Sequence, residues 1–320
     1  MTVKIGVLTS GGDAPGMNAA IRAVVRRGIS LGATVYGIRR GYEGLIDGDM
    51  FPMSVDSVGD TIHRGGTILH TARSDRFMLP EGQDLAAARI RGAGLSGLVV
   101  IGGDGSLRGM VELCKRGVKA IGIPGTIDND IAYTDYTIGF DTAVNTGVEA
   151  VNRLRDTATS HERVFVVETM GRHEGHLALA VGVAGGAESI LVPELPVNID
   201  EVCEKLKRGL DRGKVHSIIV VAEGAASGFE VARQIEACLG MELRVTVLGH
   251  VQRGGTPTAF DRLLASRMGA KAVDLLASGQ SNLMVGVSGP RLIATPTPEV
   301  LAVRKALDMD LFNLAQDLAR

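Results

Sequence analysis

Two carboxylates and a threonine occupy one short segment of the sequence, Pro124–Asp130 (PGTIDND). One carboxylate could orient an attacking hydroxyl and accept its proton, while the other holds Mg²⁺. Because the nucleophile of a loose phosphoryl-transfer transition state loses its proton late, a carboxylate of low pKa is a sufficient acceptor. The same D-N-D pattern is common in Asx-turns, so a purely structural interpretation stays open.

Two further segments combine glycines with polar side chains, Thr9–Gly16 (TSGGDAPG) and Gly102–Ser106 (GGDGS). Glycine lets backbone N–H groups approach a phosphate at a helix N-terminus. In the second segment, Asp104 could hold Mg²⁺ directly or through water. Neither segment is a Walker A loop or a G-x-G-x-x-G fingerprint. A tight strand-to-helix turn and a helix N-cap are the structural alternatives.

Cationic side chains also recur in unusual contexts. Arg73 (HTARSD) and Arg172 (ETMGRHEG) could offset charge on a transferring group, although either alone is typical of a surface salt bridge. His250 and Arg253 follow a predicted strand and are three residues apart, so together they could grip a phosphate dianion. Arg244 begins the same strand and is therefore expected to lie away from that pair within one subunit.

The segment His173-Glu-Gly-His176 could suggest a zinc site. Its spacing is one residue shorter than the H-E-x-x-H motif, so we expect ordinary polar histidines here.

Short Val- and Ile-rich runs alternate with helix-like segments, which favours a doubly wound α/β sheet buried on both faces. The glycine- and aspartate-rich segments follow the strands, where such sheets bind ligands. The predicted strands are Lys4–Leu8, Thr34–Ile38, Gly97–Ile101, Lys119–Ile123, Val164–Val167, Ser189–Val192, Ser217–Ala222 and Arg244–Leu248. The predicted helices include Met17–Arg27, Leu85–Arg91, Ala143–Thr157 and Val202–Leu210.

Composition excludes several classes of protein. A net charge of −2 over 320 residues argues against a nucleic-acid or anionic-membrane partner, which would demand a basic excess. No apolar run is long enough to cross a bilayer, and no signal peptide is apparent. Three scattered cysteines are typical of reduced thiols in a cytoplasmic protein. The chain is expected to be cytoplasmic.

Taken in order, several segments resemble the ATP-dependent 6-phosphofructokinases of bacterial type over essentially the whole chain. They are IGVLTSGGDAPGMNAAIR, RGGT, VVIGGDGS, PGTIDNDI, DYTIGFDTA, RLRDT, SHER, MGRHEG, VLGHVQRGG and ASRMGA. The resemblance implies an Mg²⁺-dependent transfer of phosphate from ATP to fructose 6-phosphate. It implies an α/β fold of two doubly wound Rossmann-like lobes with mostly parallel sheets and the active site in the cleft between them. Residues 1–138 and 251–301 would form the larger ATP-binding lobe, and residues 139–250 and 302–320 the smaller sugar-phosphate-binding lobe.

The resemblance also assigns roles to individual residues. Asp128 would be the proton acceptor for the sugar's 1-hydroxyl, assisted by Thr126, Arg73 and Arg172. Asp104, with Asp130 nearby, would hold Mg²⁺. The ATP site would comprise Gly12, Tyr42, Arg73, Ser74, Gly103, Asp104, Gly105 and Ser106. The sugar phosphate would contact Thr126, Ile127, Asp128, Arg163, Met170, Gly171, Arg172, Glu223, Arg244, His250, Val251, Gln252 and Arg253.

Arg163 and Arg244 would reach the 6-phosphate of an adjacent subunit in a homotetramer, which accounts for the position of Arg244. Pyrophosphate-using relatives carry Asp where this chain has Gly105 and Lys where it has Gly125, so the two glycines favour ATP. A pyrophosphate-dependent enzyme and an inactive sugar-phosphate sensor are the alternatives. The sensor is disfavoured because a binding module has little need for a base and a metal carboxylate together. This chain retains both, with the two arginines: Asp104, Asp128, Arg73 and Arg172.

The family has an effector site between subunits for ADP or phosphoenolpyruvate. The resemblance places eight residues of this chain there: Arg22, Arg26, Arg155, Gly186, Glu188, Arg212, Lys214 and His216. Val55 replaces an arginine of the well-known pattern, Gly59 an acidic residue and Val215 a basic one. Each lost charge-assisted contact to a phosphate would cost roughly 1.5–3 kcal/mol, so we expect a weakened or altered effector response.

Overall fold

The computed structural model describes residues 3–319, and it divides the chain into two compact units. Unit 1 contains the residues up to Thr142 together with Arg253–Lys305. Unit 2 contains Ala143–Gln252 and the residues from Ala306 onward. The chain therefore changes unit after residues 142, 252 and 305, where the sequence analysis placed the changes after 138, 250 and 301.

Unit 1 is built on a seven-stranded sheet in the order β11-β10-β5-β4-β1-β2-β3. Its strands are β1 (Lys4–Ser10), β2 (Thr34–Ile38), β3 (Met50–Met53), β4 (Gly97–Gly102), β5 (Ala120–Pro124), β10 (Leu283–Ser288) and β11 (Arg291–Pro296). Its helices are α1 (Met17–Ser30), α2 (Gly41–Asp47), α3 (Pro80–Gly92), α4 (Asp104–Lys115), α9 (Ala259–Ala277) and α10 (Thr297–Ala302). Short 3₁₀ turns cover Asp56–Val58 and Arg76–Met78.

Unit 2 is built on a four-stranded sheet in the order β7-β8-β6-β9, and all of its strand pairs are parallel. Its strands are β6 (Val164–Thr169), β7 (Ser189–Leu191), β8 (Ser217–Ala222) and β9 (Leu243–Val247). Its helices are α6 (His176–Gly185), α7 (Ile199–Asp211), α8 (Gly228–Leu239) and α11 (Met309–Leu318). Helix α5 (Phe140–His161) and a 3₁₀ turn, Gly249–Arg253, run across the unit boundaries.

Central strands of both sheets are mostly apolar and largely buried because helices cover both faces. Every residue of β4 (GLVVIG) and of β8 (SIIVVA) is buried. Among the strand pairs of the described residues, the antiparallel ones lie at the edges of the larger sheet, between β2 and β3 and between β10 and β11. The predicted α/β class with mostly parallel sheets is confirmed. Among the described helices, none combines the length and apolar character that a membrane span needs.

Three strands were missing from the sequence prediction: β3, β10 and β11. They form the outer part of the larger sheet, with β3 at one edge and β10 and β11 at the other. Strand β3 (MFPM) contains a proline and β11 (RLIATP) ends in one, and proline is tolerated at sheet edges. Arg244 therefore does not belong to the last strand of the chain, as the prediction held, because two strands follow it.

A buried carboxylate fixes the start of α5. Asp261 of α9 has no exposed surface and accepts hydrogen bonds from the backbone N–H groups of Gly139 and Thr142, both at 2.9 Å. The hydroxyl of Thr142 donates to the same carboxylate at 2.6 Å. Burial raises the pKa of Asp261, and these hydrogen bonds oppose that shift. The carboxylate thus holds the segment that leaves unit 1.

Replacing Asp261 should destabilise the protein strongly. Asp261→Ala leaves two buried N–H groups without their acceptor, at about 1–3 kcal/mol each, so we expect a loss of roughly 2–5 kcal/mol in the free energy of unfolding. Asp274→Ala is the matched control, since this aspartate of the same helix is exposed and pairs with Arg27; it should cost less than about 1 kcal/mol. Chemical denaturation measures both. Equal losses in the two variants would contradict the role of Asp261.

Candidate active site

Three loops of unit 1 follow three neighbouring parallel strands. Strand β4 lies between β1 and β5, with Ser10 opposite Gly102 and Gly102 opposite Pro124. The segments that begin at Gly11, Gly103 and Gly125 therefore leave the sheet at one edge. This is the edge at which open parallel sheets bind ligands.

Close backbone approaches show that these loops touch. A β-carbon at Gly11 would lie 3.2 Å from the Ser106 hydroxyl oxygen, and one at Gly103 would lie 3.7 Å from the β-carbon of Thr126. At Gly102 an added β-carbon would come within 2.5 Å of both the Ser10 carbonyl oxygen and the Ser106 hydroxyl. Glycine at position 102 is what allows the first two loops to pack this tightly.

The segment GGDGS is a helix start rather than an open loop. Helix α4 begins at Asp104, and Gly103 is its N-cap residue without a side-chain cap. The Asp104 carboxylate accepts from Arg108, one turn later, at 2.7 and 3.1 Å. An added β-carbon at Gly105 would meet no atom within 4 Å. Exposed N–H groups at this helix start can bind a phosphate, as the sequence analysis expected.

The PGTIDND loop is rigid and largely buried. Asp128 is 2% exposed, and its N–H donates to the Thr126 hydroxyl at 3.2 Å. The Thr137 hydroxyl donates to the Thr126 carbonyl oxygen at 2.6 Å. Asn129, at a φ of 52°, accepts from the Thr137 N–H and donates to the Asp135 carbonyl oxygen. The Asn129 side chain therefore ties the loop to residues six and eight positions later, while the turn bond between residues two apart is the one that the Thr126 hydroxyl accepts.

Tyr42 lies beneath the surface of this region. Its side chain is 5% exposed, its ring stacks on Phe77 at 4.0 Å, and its hydroxyl donates to the Ser106 carbonyl oxygen at 2.5 Å. Burial, with a smaller effect from Cys114, raises the pKa of Tyr42 well above its usual value. The sequence analysis placed Tyr42 among the ATP contacts. Its buried hydroxyl supports the first turn of α4, and the ATP contact stays a prediction.

The segment that carries Arg73 and Ser74 is anchored along its length. The Thr9 hydroxyl donates to the His70 carbonyl oxygen at 3.0 Å, and the Thr71 hydroxyl donates to the Gly11 carbonyl oxygen at 2.6 Å. Ser74 donates to Glu43, which also accepts from Arg76. These hydrogen bonds lower the pKa of Glu43, that from Ser74 most. The anchored segment leaves Arg73 exposed beside the first glycine loop.

Arg253 lies against that same loop. Its guanidinium donates to the Asp13 carbonyl oxygen at 3.3 Å, and a β-carbon at Gly12 would be 2.6 Å from its Nη1. Glycine at position 12 is therefore required for the guanidinium to lie where it does. The sequence analysis paired Arg253 with His250 around one phosphate, and that pairing stays a prediction.

Lys305 was not anticipated from the sequence. Its ammonium group donates to the Asp135 carbonyl oxygen at 2.9 Å. Burial lowers the pKa of Lys305 to about 8, while the nearby carboxylates of Asp135 and Asp130 oppose that shift. A partly desolvated cation therefore lies near one predicted metal ligand. Lys305 follows the predicted domain cut and has no motif around it, so no sequence signal pointed to it.

In unit 2, a second set of predicted residues lies at the carboxyl ends of β8, β6 and β9, which are adjacent strands. The Met170 N–H donates to Gln252 Oε1 at 2.8 Å, and the Arg172 N–H donates to Glu223 Oε1 at 2.8 Å. Gly171, at a φ of 137°, and Arg172, at 55°, form a tight turn in the left-handed region. Glu223 and Gln252 therefore position the turn that carries Arg172.

Gly224→Ala should disturb this turn. A β-carbon at position 224 would lie 2.0 Å from the Arg172 carbonyl oxygen, so the backbone of one segment must move. A displacement of about 1 Å at a substrate-positioning group can cost ~10²-fold in rate, and we expect a loss of that order in kcat/KM for the substrate that the sequence resemblance assigns to this turn. Gly92→Ala, where an added β-carbon meets nothing within 4 Å, is the control. Unchanged steady-state kinetics in Gly224→Ala would contradict this role.

The other residues that were predicted to contact the sugar phosphate are not partners in the two hydrogen bonds that hold the Arg172 turn. His250 and Val251 are exposed on the 3₁₀ turn, and Arg163 is half-buried just before β6. Arg244 lies within β9 and pairs with Glu242 at 2.7 Å. Ile127, between Thr126 and Asp128, is fully buried, so its side chain packs in the core.

Several predicted effector residues of unit 2 come together. Arg155 donates to the carbonyl oxygens of Gly185 and Gly186 at 2.6 and 2.8 Å. Glu188 accepts from Lys214 and from the Ile218 N–H, both at 2.5 Å. Arg212 and His216 flank Lys214 in the chain, and Arg22 and Arg26 share the first helix of unit 1. Val55, Gly59 and Val215 are exposed.

The structure combines glycine-rich loops at the ends of parallel strands with a buried aspartate and exposed arginines. This combination defines an α/β protein of the phosphoryl-transfer class. The family model described as Phosphofructokinase matches residues 4–276. Two relatives, the ATP-dependent 6-phosphofructokinases of Halalkalibacterium halodurans and Natranaerobius thermophilus, are each 56% identical to the chain over 316 residues. The matched residues cover 99% of this chain and 99% of each relative. The chain belongs to the phosphofructokinase family.

Solved structures agree with this assignment. A phosphofructokinase of Saccharomyces cerevisiae matches 99% of the chain with a TM-score of 0.90 and 38% identity. A Pichia pastoris phosphofructokinase in the T-state matches all of it with a TM-score of 0.92 and 36% identity. The chain spans 48% and 37% of those longer yeast chains. A pyrophosphate-dependent enzyme of Marinobacter aquaeolei, at 24% identity and a TM-score of 0.84, shares the fold.

Proposed function

We propose that this chain is an ATP-dependent 6-phosphofructokinase, which converts ATP and fructose 6-phosphate into ADP and fructose 1,6-bisphosphate. The observation that carries the proposal is the junction of the three strand-end loops of unit 1 around Gly103 and Thr126, with Asp128 buried in the third loop. Full-length curated relatives at 56% identity support the same reaction.

ATP is bound by the glycine loops and by the start of α4. Backbone N–H groups there can hold the phosphates, and the open space around Gly105 leaves room for a nucleotide tail. The proposed contacts to ATP are completed by Gly12, Gly103, Ser106, Arg73 and Ser74. Tyr42 supports the helix start from below, through its hydrogen bond to the Ser106 carbonyl oxygen.

Asp104 and Asp130 would hold Mg²⁺. Hard carboxylate oxygens suit this ion, so the donor set fits. Arg108 pairs with Asp104, but the two side chains are 59% and 44% exposed. Such an exposed ion pair contributes at most about 1 kcal/mol and a divalent cation can replace it. When bound, Mg²⁺ offsets charge on the phosphate oxygens of the nucleotide.

Asp128 accepts the proton of the 1-hydroxyl as that oxygen forms its bond to the γ-phosphorus of ATP. The bond between the γ-phosphorus and the ADP oxygen breaks in the same transfer. Arg73 and Arg172 offset the negative charge of the transferring group, because a guanidinium remains protonated throughout. Thr126 fixes the loop that carries Asp128 through its hydrogen bond to the Asp128 N–H.

Fructose 6-phosphate is contacted by Met170, Gly171, Arg172 and Glu223, and its 6-phosphate by His250 and Arg253 with Val251 and Gln252 beside them. We further propose that the protein is a cytoplasmic homotetramer. In this assembly Arg163 and Arg244 of a neighbouring subunit reach the 6-phosphate. The exposed ion pair between Arg244 and Glu242 leaves that guanidinium available.

The residues around Arg155 and Glu188 are the proposed effector site for ADP or phosphoenolpyruvate. Two contacts among these residues support the assignment: Arg155 donates to the Gly186 carbonyl oxygen, and Lys214 pairs with Glu188. Val55, Gly59 and Val215 lack the charges of the well-known pattern, so a weakened response is expected. Fructose 6-phosphate saturation curves measured with and without phosphoenolpyruvate test this expectation. Strong inhibition with a large sigmoidal shift would contradict it.

The proposed donor is tested by supplying purified protein and Mg²⁺ with fructose 6-phosphate and either ATP or pyrophosphate. Formation of fructose 1,6-bisphosphate with ATP and not with pyrophosphate is the expected result. Product with pyrophosphate would reassign the donor. Binding of fructose 6-phosphate without product from either donor would make the protein a sensor.

A further inference from the structure

Two carboxylates and an imidazole of unit 2 come together beside the turn that carries Arg172. Oxygens of Glu174 and Glu194 and a ring nitrogen of His176 all lie within 4.8 Å of one another. The sequence analysis rejected a zinc site in His173–His176 because the spacing did not match a known motif. It could not foresee Glu194, which follows β7 and is brought to this place only by the fold.

The backbone at Gly175 builds the cluster. The Gly175 N–H donates to Glu194 Oε1 at 2.8 Å, which fixes the carboxylate and leaves its second oxygen as a ligand atom. A β-carbon at Gly175 would lie 2.6 Å from Glu194 Oε2 and 2.6 Å from the Val192 side chain. Glycine is therefore required for this approach. His176 is the first residue of α6 and is 8% exposed, so its imidazole is fixed by packing.

We propose that Glu174, His176 and Glu194 bind one divalent transition-metal ion, with Zn²⁺ as the expected ion. One imidazole and two carboxylates suit Zn²⁺, which accepts mixed nitrogen and oxygen donors, whereas Mg²⁺ prefers oxygen donors alone. Bond lengths of about 2.0–2.2 Å would bring the donors to roughly 3.3 Å from one another. Small side-chain rotations achieve this from separations of at most 4.8 Å.

The ion offsets the repulsion between the two carboxylates and joins two segments of unit 2. One is the Met170–His176 segment and the other is the chain after β7. Three protein ligands leave a fourth position for water. The site is separate from Asp104 and Asp130, and neither set of residues depends on the other for its ligands. Its existence does not depend on the proposed kinase activity.

Metal binding can be measured directly on the full-length protein. Chelator-treated protein in excess Mg²⁺ is titrated with Zn²⁺ by calorimetry, and retained metal is counted by mass spectrometry after gel filtration. We expect one Zn²⁺ per chain. His176→Asn and Glu194→Gln should each weaken binding by at least the ~10–100-fold that loss of an outer-sphere contact costs. Glu194→Gln keeps an oxygen that can accept the hydrogen bond from the Gly175 N–H. His173→Asn is the control: it changes an exposed neighbouring histidine and should bind Zn²⁺ as tightly as the wild type.

Co²⁺ in place of Zn²⁺ separates this site from the cysteines Cys114, Cys203 and Cys238. The expected spectrum has visible d–d bands and no thiolate charge-transfer band. Should either variant fail to fold, an anomalous difference map of wild-type crystals at the zinc edge must show a peak between the three ligands. No retained Zn²⁺, equal binding by wild type and folded variants, a thiolate band, or a peak elsewhere would each overturn the proposal.

Discussion

Asp128→Asn should bind both substrates and lose about 10²–10⁴-fold in kcat, the range that general base catalysis contributes. Asparagine has nearly the same shape as aspartate, and the Asp128 N–H keeps its bond to the Thr126 hydroxyl. What disappears is the group that accepts the proton of the sugar's 1-hydroxyl. Steady-state kinetics, together with calorimetric binding of fructose 6-phosphate and of MgATP, separate this chemical defect from a binding defect.

Asp84→Asn provides the control for this experiment. Asp84 is an exposed carboxylate of the same unit that pairs with Arg116, and no catalytic role is proposed for it. Its variant should keep wild-type kcat. A kcat for Asp128→Asn within a few-fold of the wild type would remove Asp128 from the role of base. Loss of fructose 6-phosphate binding in that variant would instead reassign Asp128 to recognition.

Gly105→Asp should remove most activity with ATP while leaving the fold intact. No atom lies within 4 Å of an added β-carbon at position 105, and an acidic residue in the first turn of α4 favours the helix. Two unit negative charges 4 Å apart repel by about 4 kcal/mol at an effective dielectric constant of 20. Because Mg²⁺ offsets part of this repulsion, we expect kcat/KM for ATP to fall by roughly 10–10³-fold.

Gly105→Ala separates charge from size at this position. The methyl group fits the same open space and alanine is a better helix former than glycine, so ATP kinetics should remain within a few-fold of the wild type. Melting curves should show both variants folded. Wild-type ATP kinetics in Gly105→Asp would show that the triphosphate does not lie near the start of α4.

The positions of the glycine- and aspartate-rich loops at strand ends could be predicted from the sequence because each loop carries a local signal. Glycines and aspartates follow apolar runs at Gly102–Asp104 and at Gly125–Asp130, and parallel strands bring such segments to one edge. Inner strands of both sheets were equally predictable, since β2 and β8 have the predicted bounds. Strand β10 (LMVGVS) carries a short apolar run that the prediction overlooked, whereas the apolar part of β11 (RLIATP) is shorter and lies between an arginine and a Thr-Pro pair, so its pattern did not separate it from a loop.

Supporting residues could not be predicted because their roles arise from contacts between distant segments. Asp261 holds the start of α5 from a helix more than a hundred residues later in the chain. Glu223 positions the Arg172 turn by accepting a hydrogen bond from the backbone N–H of Arg172, a contact between segments about fifty residues apart. The burial of Tyr42 against α4 depends on Phe77 and Gly109, and nothing in the local sequence connects these residues to it.

The central claim is that the γ-phosphoryl group of ATP is transferred to the 1-hydroxyl of fructose 6-phosphate. ³¹P NMR of the purified protein with MgATP and fructose 6-phosphate observes this transfer directly. We predict one new phosphate ester at carbon 1 of the sugar for each ADP formed, with the 6-phosphate signal retained. ADP formation with release of inorganic phosphate only, or a new ester at another carbon, would contradict the account.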